Sequence, residues 1–310
     1  MKKTVLIFGG GGQDGYFLKK LLVSQNYKVI IFSHSNSIAG PCLDVGNFKD
    51  VENVIREHSP EIIFHLAAKS STKHEFILEN QNAIVQGVLT ILESVYRYFP
   101  TTKVFIASSA LIFKNDNKPI NEQNEIEIKN AYTLTRIEAL QIARYYRNRG
   151  IKVYIGFLFN HESPLRHPNS IVREIAKGVV NIYLGSAETL NIKNADIVKE
   201  WMWAGDAAEA IYKLITQNKV FEACIGDGIG ISVKEYVIKC LKILKISNKE
   251  KLIKNLNYKN EYSNFICDPK KIKSLGWTPN FNVDYLAKQM IHAEICSRKL
   301  NLNHLIDDKS

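Results

Sequence analysis

Residues 4–15 read Thr4-Val5-Leu6-Ile7-Phe8-Gly9-Gly10-Gly11-Gly12-Gln13-Asp14-Gly15, an apolar run broken by a glycine turn, and an amphipathic segment follows over 16–24. A strand, a glycine turn and a helix in that order form a phosphate cradle. Glycines admit positive φ and a close approach of backbone to a pyrophosphate. The free N–H groups and positive dipole end of the helix then face the phosphates. Gly9, Gly12 and Gly15 space as GxxGxxG, a relative of the dinucleotide fingerprint. Glycine clusters also mark ordinary loops, and it is the position between strand and helix that favours a cofactor. Gln13 and Asp14, inside the turn, are expected at the same site.

The alternation continues outward from this turn. Lys28–Phe32 reads as a second buried strand, Asn47 as the N-cap of a helix through Glu57, and 61–65 as a third strand after Pro60. A long helical pattern over 77–99 carries Ile84, Val88, Ile91, Leu92 and Val95 on one face, and Pro100 closes it. A strand at 103–107, a helix at 131–149 and a strand at 151–158 complete the series. Helices are expected at 170–180 and 204–216, with short mixed elements in the tail. Such alternation predicts an α/β fold, a Rossmann-type doubly wound parallel sheet. Residues 1–160 would form the dinucleotide-binding unit, with about 195–222 returning to it. Residues 161–310 would be mainly a smaller α/β substrate-binding region. Ligands in this architecture lie beyond the carboxyl ends of the strands, so the informative residues should follow each strand.

Composition narrows the class. The chain has 310 residues, 45% hydrophobic, enough for one large unit or two joined ones. No apolar stretch reaches the roughly 18–20 residues of a membrane span. Met1-Lys2-Lys3 runs into a strand pattern without a cleavage site, so no signal peptide is expected. Cys42, Cys224, Cys240, Cys267 and Cys296 are scattered, without CxxC spacing, which fits free thiols in a cytoplasmic protein. The formal net charge of +10 comes from lysines spread along the chain, with no basic run interleaved with aromatics. That argues against nucleic acid. It fits attraction of a phosphorylated ligand or a plain lysine-rich habit.

The strand ends carry the candidates. Leu66-Ala67-Ala68, after His65, are small enough for a dinucleotide to lie over the sheet, although helix packing would also explain the alanines. Asp44-Val45 would face an adenine ring, or Asp44 would cap a turn. Ser108-Ser109 end the fourth strand, and Tyr132 opens a helix with Arg136 one turn on. A hydroxyl and a phenol over a nicotinamide can polarise a sugar alcohol or ketone and move its proton. A nearby cation favours phenolate.

With these residues and with Leu158-Phe159-Asn160-His161-Glu162-Ser163-Pro164, the chain resembles the extended short-chain dehydrogenase/reductases, and among them the GDP-mannose 4,6-dehydratase family. Tyr183-Leu184-Gly185, Trp201 with Asp206, and Leu275-Gly276-Trp277-Thr278-Pro279 support the resemblance, which spans nearly the whole chain. It implies a GDP-sugar substrate touching Ser109, Asn160, Arg166, Arg173, Leu184 and Lys199. The implied cofactor contacts are Gly9, Gly12, Gln13, Asp14, Gly15, Ser33, Asp44, Val45, Leu66, Ala67, Ala68, Ser108, Tyr132, Arg136 and Phe159. His161 beside Glu162 is too little for a metal site, and none is expected.

Departures from the family pattern matter as much. The family's catalytic stretch reads Ser-Thr-Ser-Glu-Leu-Tyr-Gly, whereas this chain has Ser108-Ser109-Ala110-Leu111-Ile112-Phe113-Lys114. Leu111 stands where the family's glutamate moves protons at C5 and C6 during elimination of water. The YxxxK pair becomes Tyr132 and Arg136, whose guanidinium stays charged but has a different shape. After the second strand come Ser33-His34-Ser35-Asn36, with no arginine for a 2′-phosphate, so NAD is favoured and NADP kept open. The expected activity is hydride exchange at C4 of a GDP-linked hexose or heptose, with Tyr132, Ser109 and Arg136 as catalytic groups. It would serve sugar-nucleotide biosynthesis for surface polysaccharide. Rivals are 4,6-dehydration, epimerisation through a 4-keto intermediate, and a silent Rossmann scaffold. By analogy with the family, the helices at 77–99 and 131–149 would form the interface of a homodimer or homotetramer.

Overall fold

A computed structural model describes residues 2–34, 40–259 and 262–300. Its centre is a six-stranded, all-parallel sheet built from β1 (Thr4–Phe8), β2 (Lys28–Phe32), β3 (Ile62–His65), β4 (Lys103–Ser109), β5 (Val153–Leu158) and a late strand, Glu222–Ile225. The order is late strand–β5–β4–β3–β1–β2. Val5, Leu6, Ile7 and Phe8 are all buried, because alternate side chains serve two cores. Leu6 and Phe8 join α2 (Phe48–His58), the helical stretch at 77–98 and α5 (Ala131–Asn148) on one face. Val5 and Ile7 meet α1 (Gln13–Ser24) and a later helix, Ala204–Ile215, on the other. This is the doubly wound α/β arrangement expected from the alternation.

Local signals explain most boundaries. Asn47 caps α2, its Oδ1 accepting from the Lys49 and Asp50 N–H groups. Asn130 and Thr133 form a reciprocal capping box that starts α5 one residue before Tyr132. Two boundaries that differ from expectation bear on the site. α1 begins at Gln13 rather than at Tyr16, with Gly12 as N-cap, so Gln13-Asp14-Gly15 are its first turn. β4 runs two residues further than predicted and carries Ser108 and Ser109 to its carboxyl end. The stretch at 77–98 consists of α3 (Ile77–Asn80), a π-helical segment (Gln81–Gln86) and α4 (Gly87–Tyr98).

Beyond β5 come β6 (His161–Glu162), α6 (Ile171–Tyr183), β7 (Leu190–Ile192), β8 (Val198–Glu200), β9 (Met202–Trp203), α7 (Ala204–Ile215), β10 (Glu222–Ile225, the late strand) and β11 (Gly230–Ser232). They are followed by α8 (Val233–Ile243), β12 (Ile253–Asn255), β13 (Asn264–Phe265), α9 (Lys270–Lys273) and α10 (Val283–Ser297). Helices α6, α8 and α10 share a third core around Trp201, which stacks on Tyr236 at 4.0 Å. The tail is thus more helical than the mixed elements expected. Asp206 ties it back: its carboxylate accepts from the Asn280 and Phe281 N–H groups, and its carbonyl from Trp277 Nε1.

The chain crosses the sheet at β1, with β2 on one side and β3 on the other, so the crevice between the ends of β1 and β3 is the switch point. Gly9 sits there at φ +82°, and a Cβ on it would lie 2.4 Å from Ala67 N. Gly12 has no heavy atom within 4 Å of where its Cβ would be. The two positions should therefore respond differently. Gly9→Ala is expected to lower folding stability by more than about 1 kcal/mol, through both strain and clash. Gly12→Ala should leave the melting temperature nearly unchanged while weakening dinucleotide binding by calorimetry, because the methyl intrudes only on the ligand's space.

Candidate active site

A cleft of about 810 Å³ opens over the crevice, walled by the glycine turn, the ends of β2 and β3, Asp44-Val45 and Arg166. It collects from distant parts of the sequence the expected residues Gly9, Gly12, Gln13, Asp14, Gly15, Ser33, Asp44, Val45, Leu66, Ala67 and Ala68. The open space at Gly12 and the helix N-terminus behind it suit a pyrophosphate, so the residues present fit a dinucleotide. Asp44 caps a turn at the edge of the cleft. It lines the cleft, and its Oδ1 accepts from Gly46 N and Asn82 Nδ2, each at 2.9 Å. Ser33 and His34 border the cleft, whereas Ser35 and Asn36 lie outside the described residues.

Gln13 and Asp14 do more than line the cleft. Gln13 Nε2 donates to the His161 carbonyl (3.1 Å), and Ser163 Oγ donates to Gln13 Oε1 (2.7 Å). His161 Nε2 lies 2.9 Å from Asp14 Oδ1, and its Nδ1 lies 2.7 Å from the Phe159 carbonyl. A carboxylate and a carbonyl can only accept, so both ring nitrogens donate and the ring is an imidazolium. Burial works against its charge, but Asp14 outweighs it and raises the His161 pKa. Burial likewise opposes ionisation of Asp14, yet His161 and Gln13 hold its pKa at about 2. The two motifs that carried the family resemblance therefore interlock.

Ser109 ends β4 and caps the short turn Ala110–Ile112, accepting from Leu111 N at 3.2 Å. That leaves its O–H free to donate and one lone pair to accept. Leu111 packs against the first core as an apolar residue. Tyr132 and Arg136 are 8% and 5% exposed, with the guanidinium carbon 5.0 Å from the centre of the phenol ring. Arg136 Nη1 donates to the Ala107 carbonyl at 2.5 Å. Ser108 is buried beside them, and Phe159 packs on Phe265 with ring centres 5.1 Å apart.

The residues expected at the substrate divide into groups. Arg166 reaches the cleft, with Nε 3.0 Å from Glu162 Oε2. Lys199 lies over the Trp201 ring at 4.5 Å. Burial lowers its pKa, with Glu162 opposing that and Arg166 adding to it, so both cations sit close to one buried carboxylate. Asn160 separates β5 from β6. Arg173 is committed to the backbone, its Nη1 donating to the Pro164 and Arg166 carbonyls (3.0 and 3.3 Å). Leu184 is 46% exposed at the end of α6, away from the cleft lining. Glu79 of α3, Asn82 of the π-helical segment and Lys69 beyond the end of β3 also wall the cleft, and sequence reasoning did not assign them, because the apolar period of the helical stretch marks only its core face.

Fold and site together are those of an enzyme of the extended short-chain dehydrogenase/reductase type. Within that class, residues 6–290 match the GDP-mannose 4,6 dehydratase family, and the chain belongs to it. It is 27% identical to human GDP-mannose 4,6 dehydratase over 97% of this chain and 94% of that one. It is 25% identical to the Vibrio cholerae GDP-mannose 4,6-dehydratase, covering 95% and 94%. Its fold matches that of a UDP-glucose 4-epimerase from Thermotoga maritima (TM-score 0.83, 20% identity, 95% and 99% covered). A dTDP-glucose 4,6-dehydratase from Bacillus anthracis in complex with NAD gives a TM-score of 0.81 at 20% identity, with 96% and 98% covered.

The Asp14–His161 pair predicts a pH signature in stability. The raised His161 pKa contributes stability that is full below the unfolded value of 6.5 and is lost as pH rises through the folded one. The Asp14 contribution is full above 3.8 and is lost as pH falls towards about 2. His161→Gln should therefore cost most near pH 5–6, roughly 1.5–3 kcal/mol for a charged hydrogen bond. Denaturant titrations should show the deficit shrinking at pH 3 and again at pH 9. A deficit independent of pH would show that His161 contributes by packing alone.

Proposed function

We propose that the protein exchanges a hydride at C4 of a GDP-linked hexose or heptose and stops there, acting as a C4 dehydrogenase or a 4-keto reductase. The observation that carries this reading is Leu111: the turn after Ser109 presents an apolar, core-packed side chain where the family has its proton-moving glutamate. A leucine cannot take a proton from C5 or give one to a departing hydroxyl.

The glycine turn and the ends of β2 and β3 would hold NAD or NADP, which would supply or take up the hydride. The chain's own groups handle the proton. Tyr132 exchanges it at the C4 oxygen, and Ser109 donates to that oxygen. Arg136 holds its permanent charge against the phenol ring. Arg166 and Lys199 attract the diphosphate, and Arg173 holds the loop that carries Arg166. Ser33 and His34 give a 2′-phosphate no guanidinium, which favours NAD. A homodimer or homotetramer through α4 and α5 accompanies this reading, with the exposed Tyr96 and Tyr145 on that surface.

A second reading, 4,6-dehydration with another group in place of the glutamate, is favoured by the family itself. Turnover in D2O separates the two. The proposal predicts a product that keeps its 6-hydroxyl and carries no deuterium at C5, read by NMR and mass spectrometry. Deuterium at C5 with loss of the 6-hydroxyl establishes dehydration instead. Tyr132→Phe should lower kcat by about 10²–10⁴. Loss of turnover in that variant without any change in biological output would point to a scaffold.

A further inference from the structure

Three buried polar atoms beneath the catalytic groups have no hydrogen-bonding partner among the described residues: His65 Nδ1, Ser108 Oγ and Arg136 Nε. The strand pleat brings the first two to one face. Ile63 and Ile106 belong to the core that α4 and α5 cover, and His65 and Ser108 lie two residues beyond them on β3 and β4. The register pairs His65 with Ile106, which places Ser108 one pleat further along. Arg136 enters the same face from α5 and bonds the carbonyl of Ala107, next to Ser108.

His65 is oriented from the far side by the π-helical segment. The Ile84 carbonyl lies 3.5 Å from His65 Nε2. A carbonyl only accepts, so Nε2 carries the proton and Nδ1 presents a lone pair. Gly87 permits this approach, since a Cβ there would be 3.0 Å from His65 Nε2 and 2.9 Å from Val45 Cγ1. The groups facing the ring are the carbonyls of Ala83 and Ile84 from that segment and the Arg136 charge from α5. Burial and then Arg136 lower the His65 pKa to about 4, so the ring is neutral at physiological pH. An acceptor, a donor and a hydroxyl that can be either thus share one buried face, the kind of polar complement that buried waters satisfy. π-Helical insertions recur at functional sites, and here the insertion sets the histidine's tautomer.

We propose that His65 is a positioning residue: through a buried water shared with Ser108, its Nδ1 fixes Arg136 Nε and so the cation against the Tyr132 ring. The proposal rests on the reading of Tyr132 as the acid/base. It explains how a rigid guanidinium is held at a position where the family has a flexible lysine, by anchoring it at Nη1 to Ala107 and at Nε to His65.

Two substitutions separate the ring's two nitrogens. Asparagine places a polar atom near Nδ1, and glutamine places one near Nε2. With NAD(P) and the GDP-sugar, His65→Gln should lower kcat about tenfold or more at unchanged KM. His65→Asn should restore kcat to within about threefold of the unsubstituted enzyme. Equal loss in the two variants, or a change in KM rather than in kcat, overturns the proposal. ¹⁵N NMR of the unsubstituted holoenzyme gives a readout independent of activity and of how the variants fold. His65 should appear as the Nε2–H tautomer, with a slowly exchanging Arg136 Nε–H assigned through Arg136→Lys. An Nδ1–H tautomer or a freely exchanging Nε–H contradicts it. Full turnover in Tyr132→Phe would remove the acid/base reading, while the NMR result would still decide the link between His65 and Arg136.

Discussion

The knot between the first turn of α1 and the start of β6 is the constraint on which the site depends. Gln13 and Asp14 open the first turn of α1 behind the glycine turn, and both hold His161-Glu162-Ser163. The segment they hold begins just after Asn160 and leads to Arg166. The glycine turn and the segment after β5 are therefore tied together by an ion pair and by two hydrogen bonds of the Gln13 amide. A buried pair of this kind gives little net stability compared with apolar packing, but losing one partner leaves a charge uncompensated. Its value lies in placement: the position of the cradle fixes the position of the loop.

The sheet delivers the rest. Parallel pairing puts the ends of β1, β3 and β4 side by side, so Gly9, Ala67 and Ser109 are close in space although nearly a hundred residues separate the first from the last. Gly9 against Ala67 sets the depth of the cleft. The capping box at Asn130 starts α5 where Tyr132 and Arg136 meet the end of β4. Each device is local, and the site is the place where they coincide.

Much of this was legible in the sequence because it follows from short-range rules. The apolar runs of Val5 to Phe8 and Val104 to Ile106 mark strands buried on both faces, and Asn47 is a cap by its chemistry alone. The two motif stretches pointed to the same family that the full chain matches. What was not legible is equally specific. The π-helical segment at 81–86 leaves the apolar face from Ile84 onward intact, so periodicity does not reveal it. α8 was passed over although Ser232 and Glu235 spell a capping box, and the bonds of Arg173 to the Pro164 and Arg166 carbonyls follow only from the fold. The imidazolium state of His161 depends on Phe159 and Asp14 together, and only the fold places both against the ring.

The central claim is that the chain keeps the family's hydride chemistry and has lost its elimination, with Leu111 as the cause. A full elimination returns the hydride to the sugar and leaves the nicotinamide as it began, whereas a single C4 transfer does not. The direct measurement is nicotinamide absorbance during turnover of a GDP-sugar by the purified protein, alongside quantified product. The account predicts a net change in nicotinamide redox state equal to the product formed, one for one. Product that accumulates with no net change in nicotinamide, and lighter than the substrate by one water, would contradict it.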